Sequence, residues 1–170
     1  MLSDVAIRRA QADDAEAIAV VRDEAAAWLL SRGIRQWRPG EVSRQDVLDW
    51  ITTGRVYVAE VDGRLAGSVR LAWTDPAVWG RQSPEAGYVQ ALVTARDAAG
   101  HGLGRQLLAH VEAVIARSGR PLARLSCLRG NTGLEAFYVS AGYVEVGSRA
   151  FPDHPGWDPV TLLEKHLTPG

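Results

Sequence analysis

The segment that most constrains the fold is a strand, a glycine-rich turn and a helix that follow one another from Gly87 onward. Residues 87–94 read GYVQALVT, a strand pattern, and the glycine-rich stretch 100–104 opens an amphipathic helix expected to begin near His101. Residues 122–128 supply the next strand. Two strands joined by a helix pair in parallel, because the chain must cross the sheet between them. The order of elements therefore predicts a sheet with a parallel strand pair.

The other strands favour antiparallel pairing. Residues 5–9 alternate enough for an edge strand, and residues 56–61 and 65–71 flank Asp62-Gly63, a dipeptide that tolerates the positive φ angles of a tight hairpin. Two further strands are expected near the end of the sequence, at 143–148 and 160–167. The sequence thus predicts a mixed α/β fold in which most strand pairs are antiparallel.

Capping residues indicate where further helices begin and end. Asp13, with an acid three residues later, predicts the N-cap of a first helix that stops at Gly33. Ser43, again with an acid three residues later, predicts a second capping box. A last helix is expected at 131–141, and the stretch 74–85, with two prolines and a glycine, is expected to be a long surface loop.

Length and composition limit the range of function classes. A chain of 170 residues predicts a single domain over 1–170, and 46% apolar with 23% charged residues is typical of globular proteins. The 19 basic and 20 acidic side chains leave a charge of -1, which argues against nucleic acid or an anionic membrane as partner. Cys127 is the only cysteine, so no intrachain disulfide is expected. Residues 1–10 lack the apolar run of a signal peptide, and we expect a cytoplasmic protein without a membrane span.

The glycine-rich stretch 100–104 has the features of a phosphate-binding loop. The first turn of a helix carries amides without helical partners and the positive end of the helix dipole, and glycine lets the backbone approach a diphosphate. Arg105, just inside the helix, adds a positive charge. The spacing excludes a P-loop and the G-x-G-x-x-G pattern of dinucleotide folds. A tight turn without a ligand is the alternative.

The same segment resembles the GNAT superfamily of N-acetyltransferases. In that family a strand leads into a diphosphate loop of the form Q/R-x-x-G-x-G/A, which residues 88–108 match with Gly102-Leu103-Gly104. Ala99 departs from the pattern at the Q/R position. The family pattern N-x-x-A-x-x-[LF]-Y-x-x-x-G-[FY] is matched by Asn131, Phe137, Tyr138, Gly142 and Tyr143, with Leu134 in place of the usual alanine. The resemblance covers most of residues 4–167.

The resemblance implies both a fold and a co-substrate. The fold is a mostly antiparallel central sheet with a parallel, splayed strand pair and helices on both faces. The co-substrate is acetyl-CoA, whose pantetheine arm would pair with the central strand and whose diphosphate would lie on the loop amides; no metal is implied. The implied cofactor-binding residues are Leu92, Val93, Thr94, Gly100, His101, Gly102, Leu103, Gly104, Arg105 and Asn131. From the residues alone, Asn131 could equally cap the helix that follows it.

Acetyl transfer requires a neutral amine, donors for the developing oxyanion and a proton for the departing thiolate. The resemblance implies Tyr138 as the acid, and packing on a buried helix face is its alternative role. The base stays open, because the amide of Gln90 cannot accept a proton but could hold a water, while Glu85 could accept the proton. Cys127 is expected to be a small buried thiol rather than an acetyl carrier. The four histidines show no metal-ligand spacing.

The acceptor site in the resembling family lies at the first two helices and the loops around the central strands. The candidate acceptor-binding residues are Trp37, Trp73, Asp75, Glu85 and Gln90. Aromatic rings beside a carboxylate suit a cationic amine, and Trp79 would extend this wall, whereas Trp28 is expected in the core. We expect an N-acetyltransferase that acts on a primary amine of a small molecule. A protein N-terminus or lysine is the alternative acceptor, a noncatalytic acyl-CoA-binding regulatory module is the alternative function, and a homodimer is left open.

Overall fold

The computed structural model describes residues 4–169, and its elements follow the predicted order. The strands are β1 Val5–Arg9, β2 Arg55–Val61, β3 Arg64–Ala72, β4 Ala86–Thr94, β5 Leu122–Leu128, β6 Val144–Arg149 and β7 Val160–His166. The helices are α1 Ala15–Ser31, α2 Arg44–Thr53, α3 Pro76–Trp79, α4 Leu103–Arg117 and α5 Thr132–Ser140. The strands form a seven-stranded sheet in the order β1-β2-β3-β4-β5-β7-β6. A mostly antiparallel sheet with a parallel pair and flanking helices confirms the predicted fold class.

The chain divides into two compact units. The first comprises the chain through Ala72 together with Val89–Val111, and the second comprises Trp73–Tyr88 and the chain from Glu112 onward. Strand β4 therefore begins in the second unit and ends in the first. A single domain over 1–170 stays a prediction.

The first unit is built on the hairpin of β2 and β3. Asp62 (φ 51°) and Gly63 (φ 81°) both take positive φ, as the two central residues of a type I′ turn do, which confirms the predicted hairpin. Strand β1 pairs antiparallel with β2 from Val5 opposite Val61 onward, at the edge of the sheet. A buried apolar cluster joins the helices to this sheet and contains Ala15, Ile18, Ala19, Val42, Val47, Val56 and Val58.

The two capping predictions had different outcomes. Ser43 caps α2 as predicted: its Oγ accepts the Asp46 amide at 3.1 Å, and the Ser43 amide donates to the Asp46 carboxylate at 2.8 Å. The predicted N-cap at Asp13 is wrong, because a 3-10 turn, Ala12–Asp14, precedes α1 and its N-cap lies two residues earlier, where Gln11 and Asp14 form the capping box. Asp14 is held there by two hydrogen bonds from the Arg8 guanidinium, at 2.8 and 2.9 Å, which lower the pKa of its carboxyl group.

The second unit contains the parallel pair. Its ladder joins Ala86–Tyr88 of β4 to Leu122–Arg124 of β5, and β7 then pairs antiparallel with both β5 and β6. Helix α4 packs so closely on β4 that a Cβ on Gly87 would lie 2.4 Å from Ile115. Glycine is therefore required at that strand position by contact alone.

Two boundaries differ from the sequence prediction. The expected loop at 74–85 contains the short helix α3, which Pro76 opens with its fixed φ and whose Trp79 is 8% exposed. Helix α4 begins at Leu103 and not at His101, because Gly102 has a φ of 83°, which a right-handed helix excludes. Among the described residues, none of the helices has the length and apolar character needed to cross a membrane.

Candidate active site

The glycine-rich turn leads directly into the N-terminus of α4. Gly100 (φ 80°) and Gly102 (φ 83°) take left-handed conformations, and a Cβ on either would meet no protein atom within 4 Å. The turn therefore needs glycine for its backbone shape, while the space beside it is open. The Gln106 amide donates to the Gly102 carbonyl at 3.1 Å, so the amides that precede Gln106 in the first turn have no acceptor inside the helix. This arrangement is an anion-binding geometry.

The side chains around this turn differ in how deeply they are buried. Leu103 is 1% exposed and fixes the start of α4 in the core. His101 and Arg105 are exposed. The predicted role of the His101 amide is compatible with this exposure.

Strand β4 carries a backbone irregularity at Ala91. Its φ is 53°, in the middle of a strand, where an alanine in this region costs about 1–3 kcal/mol. Gln90, Ala91 and Leu92 are all partly exposed, whereas Val93 is buried. Strain of this kind is often kept at a binding surface, and here it falls immediately before the stretch predicted to pair with pantetheine. Sequence reasoning missed it, since alanine carries no signal for positive φ.

Asn131 caps α5 in the second unit. Its Oδ1 accepts the Leu134 amide at 3.3 Å, and the side chain is 8% exposed. The capping role is thus confirmed. The contact with pantetheine that the resemblance implies stays a prediction.

Tyr138 lies on the buried face of α5. Its ring packs edge-on against Phe137 at 5.2 Å and Tyr143 at 5.8 Å, and the residue is 6% exposed. Burial, together with nearby Cys127, raises the pKa of Tyr138, so the phenol stays protonated at neutral pH. Burial also raises the pKa of Cys127 to about 12, which keeps it a thiol and fits the expectation that it carries no acetyl group.

Tyr143 is held by an ion pair behind it. Its hydroxyl donates to Glu112 at 2.9 Å, and the Lys165 ammonium donates to the other oxygen of the same carboxylate at 2.8 Å. Tyr143 is 2% exposed, and burial followed by the neighbouring Glu112 raises its pKa. The edge-on partner of Tyr138 is therefore fixed by a charged hydrogen bond.

Arginine side chains contact most of the tryptophan rings. The sequence contains 18 arginines and one lysine, a bias that could have signalled this. Within the described part of the chain, five of the six tryptophans have a guanidinium within 6 Å of the ring centroid: Trp28 with Arg96 at 3.5 Å, Trp37 with Arg22 at 4.3 Å, Trp50 with Arg70 at 5.2 Å, Trp73 with Arg120 at 4.6 Å and Trp79 with Arg124 at 5.2 Å. The rings expected to bind a cationic amine thus already contact a cation of this chain. Trp28 is half-buried rather than part of the core.

The predicted acceptor residues are divided between the two units. Trp37 and Gln90 belong to the first, whereas Trp73, Asp75 and Glu85 belong to the second. Asp75 takes the N-cap position of α3 without a side-chain capping bond, and exposed Glu85 accepts a hydrogen bond from Ser83 Oγ at 2.9 Å. Their roles in acceptor binding stay predictions. In residues 4–169, no group of three or more His, Cys, Asp and Glu side chains is arranged as metal ligands.

Comparison with known proteins identifies the family to which this sequence is similar and solved structures that share its fold. The sequence profile of the Acetyltransferase (GNAT) family matches residues 15–143. The uncharacterized N-acetyltransferase YesJ of Bacillus subtilis (strain 168) is 33% identical over 165 residues, covering 92% of this chain and 87% of the relative. A GNAT-family acetyltransferase of Listeria monocytogenes 4b F2365 superposes with a TM-score of 0.77 at 24% identity, over 96% of this chain and 95% of that one. The yncA protein of Salmonella typhimurium, solved with its cofactor acetyl-CoA, superposes with a TM-score of 0.73 at 20% identity, over 98% of this chain and 95% of that one.

Proposed function

Because the chain belongs to the GNAT family of acetyltransferases, we propose that it transfers the acetyl group of acetyl-CoA directly to a primary amine of a small molecule. Membership of this family identifies the chain as an N-acetyltransferase. The proposal concerns the co-substrate, the acceptor and the residues that serve each.

The observation that carries the proposal is the glycine turn at the start of α4. Gly100 and Gly102 are exposed, the space where a Cβ would lie is open at both, and α4 begins immediately after them with the positive end of its dipole. A diphosphate fits such a turn, because its oxygens accept several amide hydrogens at once. Acetyl-CoA supplies this diphosphate and the acetyl thioester. Backbone amides do not depend on the side chain at position 99, so Ala99 is compatible with binding.

The pantetheine arm would pair with the backbone of Leu92, Val93 and Thr94. The residues around Ala91 are partly exposed, and the positive φ of Ala91 supports this role because it turns the backbone groups away from the directions they take in a regular strand. Asn131 would contribute a side-chain hydrogen bond in addition to its capping role.

Tyr138 would donate the proton that the leaving thiolate needs. The neutral amine attacks the thioester carbonyl carbon, the bond between carbon and sulfur breaks, and the Tyr138 hydroxyl protonates the sulfur. The acetylated amine loses its surplus proton to a base that we do not assign, and return of a proton through solvent restores the Tyr138 phenol. An ordinary phenol, with a pKa of about 10, is already protonated at neutral pH, and burial, which raises the pKa of Tyr138, keeps it so.

The acceptor is proposed to be small and cationic before it loses its proton. Asp75 and Glu85 are the carboxylates that would attract it. The nearby rings of Trp73 and Trp79 already contact arginines, so the attraction of a cationic amine would depend on the carboxylates. A carboxylate attracts any protonated amine, whatever molecule carries it. A protein N-terminus or a lysine side chain would be attracted by the same groups.

Calorimetric titration of the purified chain with acetyl-CoA, followed by measurement of CoA release, tests the proposal. We expect saturable one-to-one binding and release that depends on a small primary amine, drawn from alkylamines, polyamines and amino acids. Release only with peptides that carry a free N-terminus or lysine would overturn the acceptor class. Absence of acetyl-CoA binding by the folded protein would overturn the co-substrate, and binding without any amine-dependent release would point to a noncatalytic module.

A further inference from the structure

The turn Ala95–Ala98 connects β4 to the glycine loop and contacts two other elements of the first unit. Its backbone is tied to β3, since the Ala95 amide donates to the Ala66 carbonyl at 2.7 Å. Ala95 and Ala98 are buried, whereas the two residues between them, Arg96 and Asp97, are exposed. These two side chains contact different elements, Trp28 of α1 and Arg64 of β3.

Arg96 stacks on helix α1. Its guanidinium carbon lies 3.5 Å from the centroid of the Trp28 ring, and that of Arg32, the C-cap residue of α1, lies 4.6 Å from the same centroid. A cation over an indole at an exposed site contributes about two- to fivefold to an equilibrium constant. The contact thus holds the turn to a helix that is distant in sequence.

Asp97 is paired with Arg64, the first residue of β3. The hydrogen bond from Arg64 lowers the pKa of the Asp97 carboxyl group. Both side chains are more than half exposed, so this pair alone is weak. Its position matters more than its strength, because it fixes the residue next to Arg96 to a second element.

One side of the turn borders an open groove rather than packed protein. An open groove of about 450 Å³ separates it from part of α1, and its walls include Ala17, Val21, Leu65, Ala95 and Arg96. Immediately after the turn, Gly100 and Gly102 allow the chain many conformations. A loop of this kind loses entropy when it closes on a ligand, and anchoring it beforehand reduces that loss.

We propose that the stacking of Arg96 on Trp28 and the pairing of Asp97 with Arg64 position the glycine loop for the diphosphate of acetyl-CoA. The proposal rests on the proposed co-substrate. Trp28, Arg64, Arg96 and Asp97 are positioning residues, acting through the loop. They provide in this chain a support that Ala99, at the start of the loop, does not.

The test measures two quantities separately: the affinity for acetyl-CoA, and the rate of hydrogen exchange in the loop of the ligand-free protein. In calorimetry, we expect Trp28→Leu and Asp97→Asn each to weaken acetyl-CoA binding about two- to fivefold, and the double variant about tenfold. Turnover at saturating acetyl-CoA should not change, so KM rises while kcat holds. Trp28→Phe keeps a ring face for Arg96 and should recover part of the affinity. Arg117→Gln removes an exposed charge at the other end of α4 and should leave affinity unaltered.

Hydrogen exchange of residues 95–102 in the ligand-free protein gives a second readout. We expect faster exchange in Trp28→Leu and Asp97→Asn than in Arg117→Gln. Unchanged exchange together with affinities within the error of the wild type would overturn the proposal, as would Trp28→Phe behaving like Trp28→Leu. A wild-type protein that does not bind acetyl-CoA would contradict the proposed function instead, and the exchange measurement, which needs no ligand, would still test the anchors.

Discussion

The glycine turn of the first unit and the Tyr138 region of the second are built in opposite ways. The turn consists of exposed backbone with open space around Gly100 and Gly102, and surface side chains anchor it. Tyr138 is buried, with aromatic rings against it and the Glu112 ion pair behind Tyr143. Binding a flexible anion needs amides that water and ligand can reach, whereas a proton donor needs a fixed position and a fixed protonation state. Substitutions in the two regions should therefore change different measurable quantities.

The largest effect is expected from Tyr138→Phe. Loss of the hydroxyl removes the proton donor but keeps the ring that packs on Phe137 and Tyr143. We expect kcat to fall about a hundredfold or more, with the Kd for acetyl-CoA within about twofold of the wild type. Steady-state kinetics with calorimetry measures both.

The pH profile sharpens this assignment. Burial raises the pKa of Tyr138 above the ordinary phenol value of about 10, so the acid stays protonated as the pH rises to that value. The wild-type kcat should show no loss from this group between about pH 8 and pH 10. A Tyr138→Phe variant with full turnover would contradict the role of the tyrosine.

Glu112→Gln tests whether the second region depends on its buried charge. The glutamine keeps the shape but weakens the bonds from Tyr143 and Lys165 and leaves the ammonium without its counter-ion. We expect a loss of about 2 kcal/mol in the free energy of unfolding, measured by urea denaturation. Glu145→Gln, at an exposed position of β6, is the matched control and should change stability by less than about 0.5 kcal/mol. Equal effects of the two variants would show that the ion pair contributes no more than a surface glutamate.

The sequence predicted best what depends on neighbouring residues. The Asp62-Gly63 hairpin and the Ser43 capping box were both correct, since each is determined by a dipeptide or by a pair three residues apart. The N-cap was placed two residues late at Asp13, because the capping box joins Gln11 and Asp14, and Arg8 of β1 also donates to Asp14. The choice between neighbouring acidic residues therefore depended on contacts that the capping pattern alone does not give.

The features of the site that sequence reasoning missed depend on distant residues. Tyr143 bonds to Glu112, 31 positions away, and Lys165 reaches the same carboxylate across 53 positions. The positive φ of Ala91 has no local signal, since alanine disfavours that conformation. Motifs thus located Tyr138 and the glycine turn, but not the contacts that fix them in place. Assignment of the acceptor residues depends on surface loops, where spacing carries little information.

Gly102→Ala tests the first region by adding one methyl group. At a φ of 83° an alanine is strained, which costs about 1 kcal/mol, and its Cβ projects into the open space beside the turn. If that space receives the diphosphate, acetyl-CoA binding should weaken about tenfold, beyond any change in stability. Gly119→Ala gives the matched control, because Gly119 has a φ of 86° and equally open surroundings outside the turn. Its strain should lower stability by the same amount and leave the Kd unchanged. Equal affinities in the two variants would mean that the methyl group meets no ligand, and the turn would then be a tight connection whose glycines serve only the backbone.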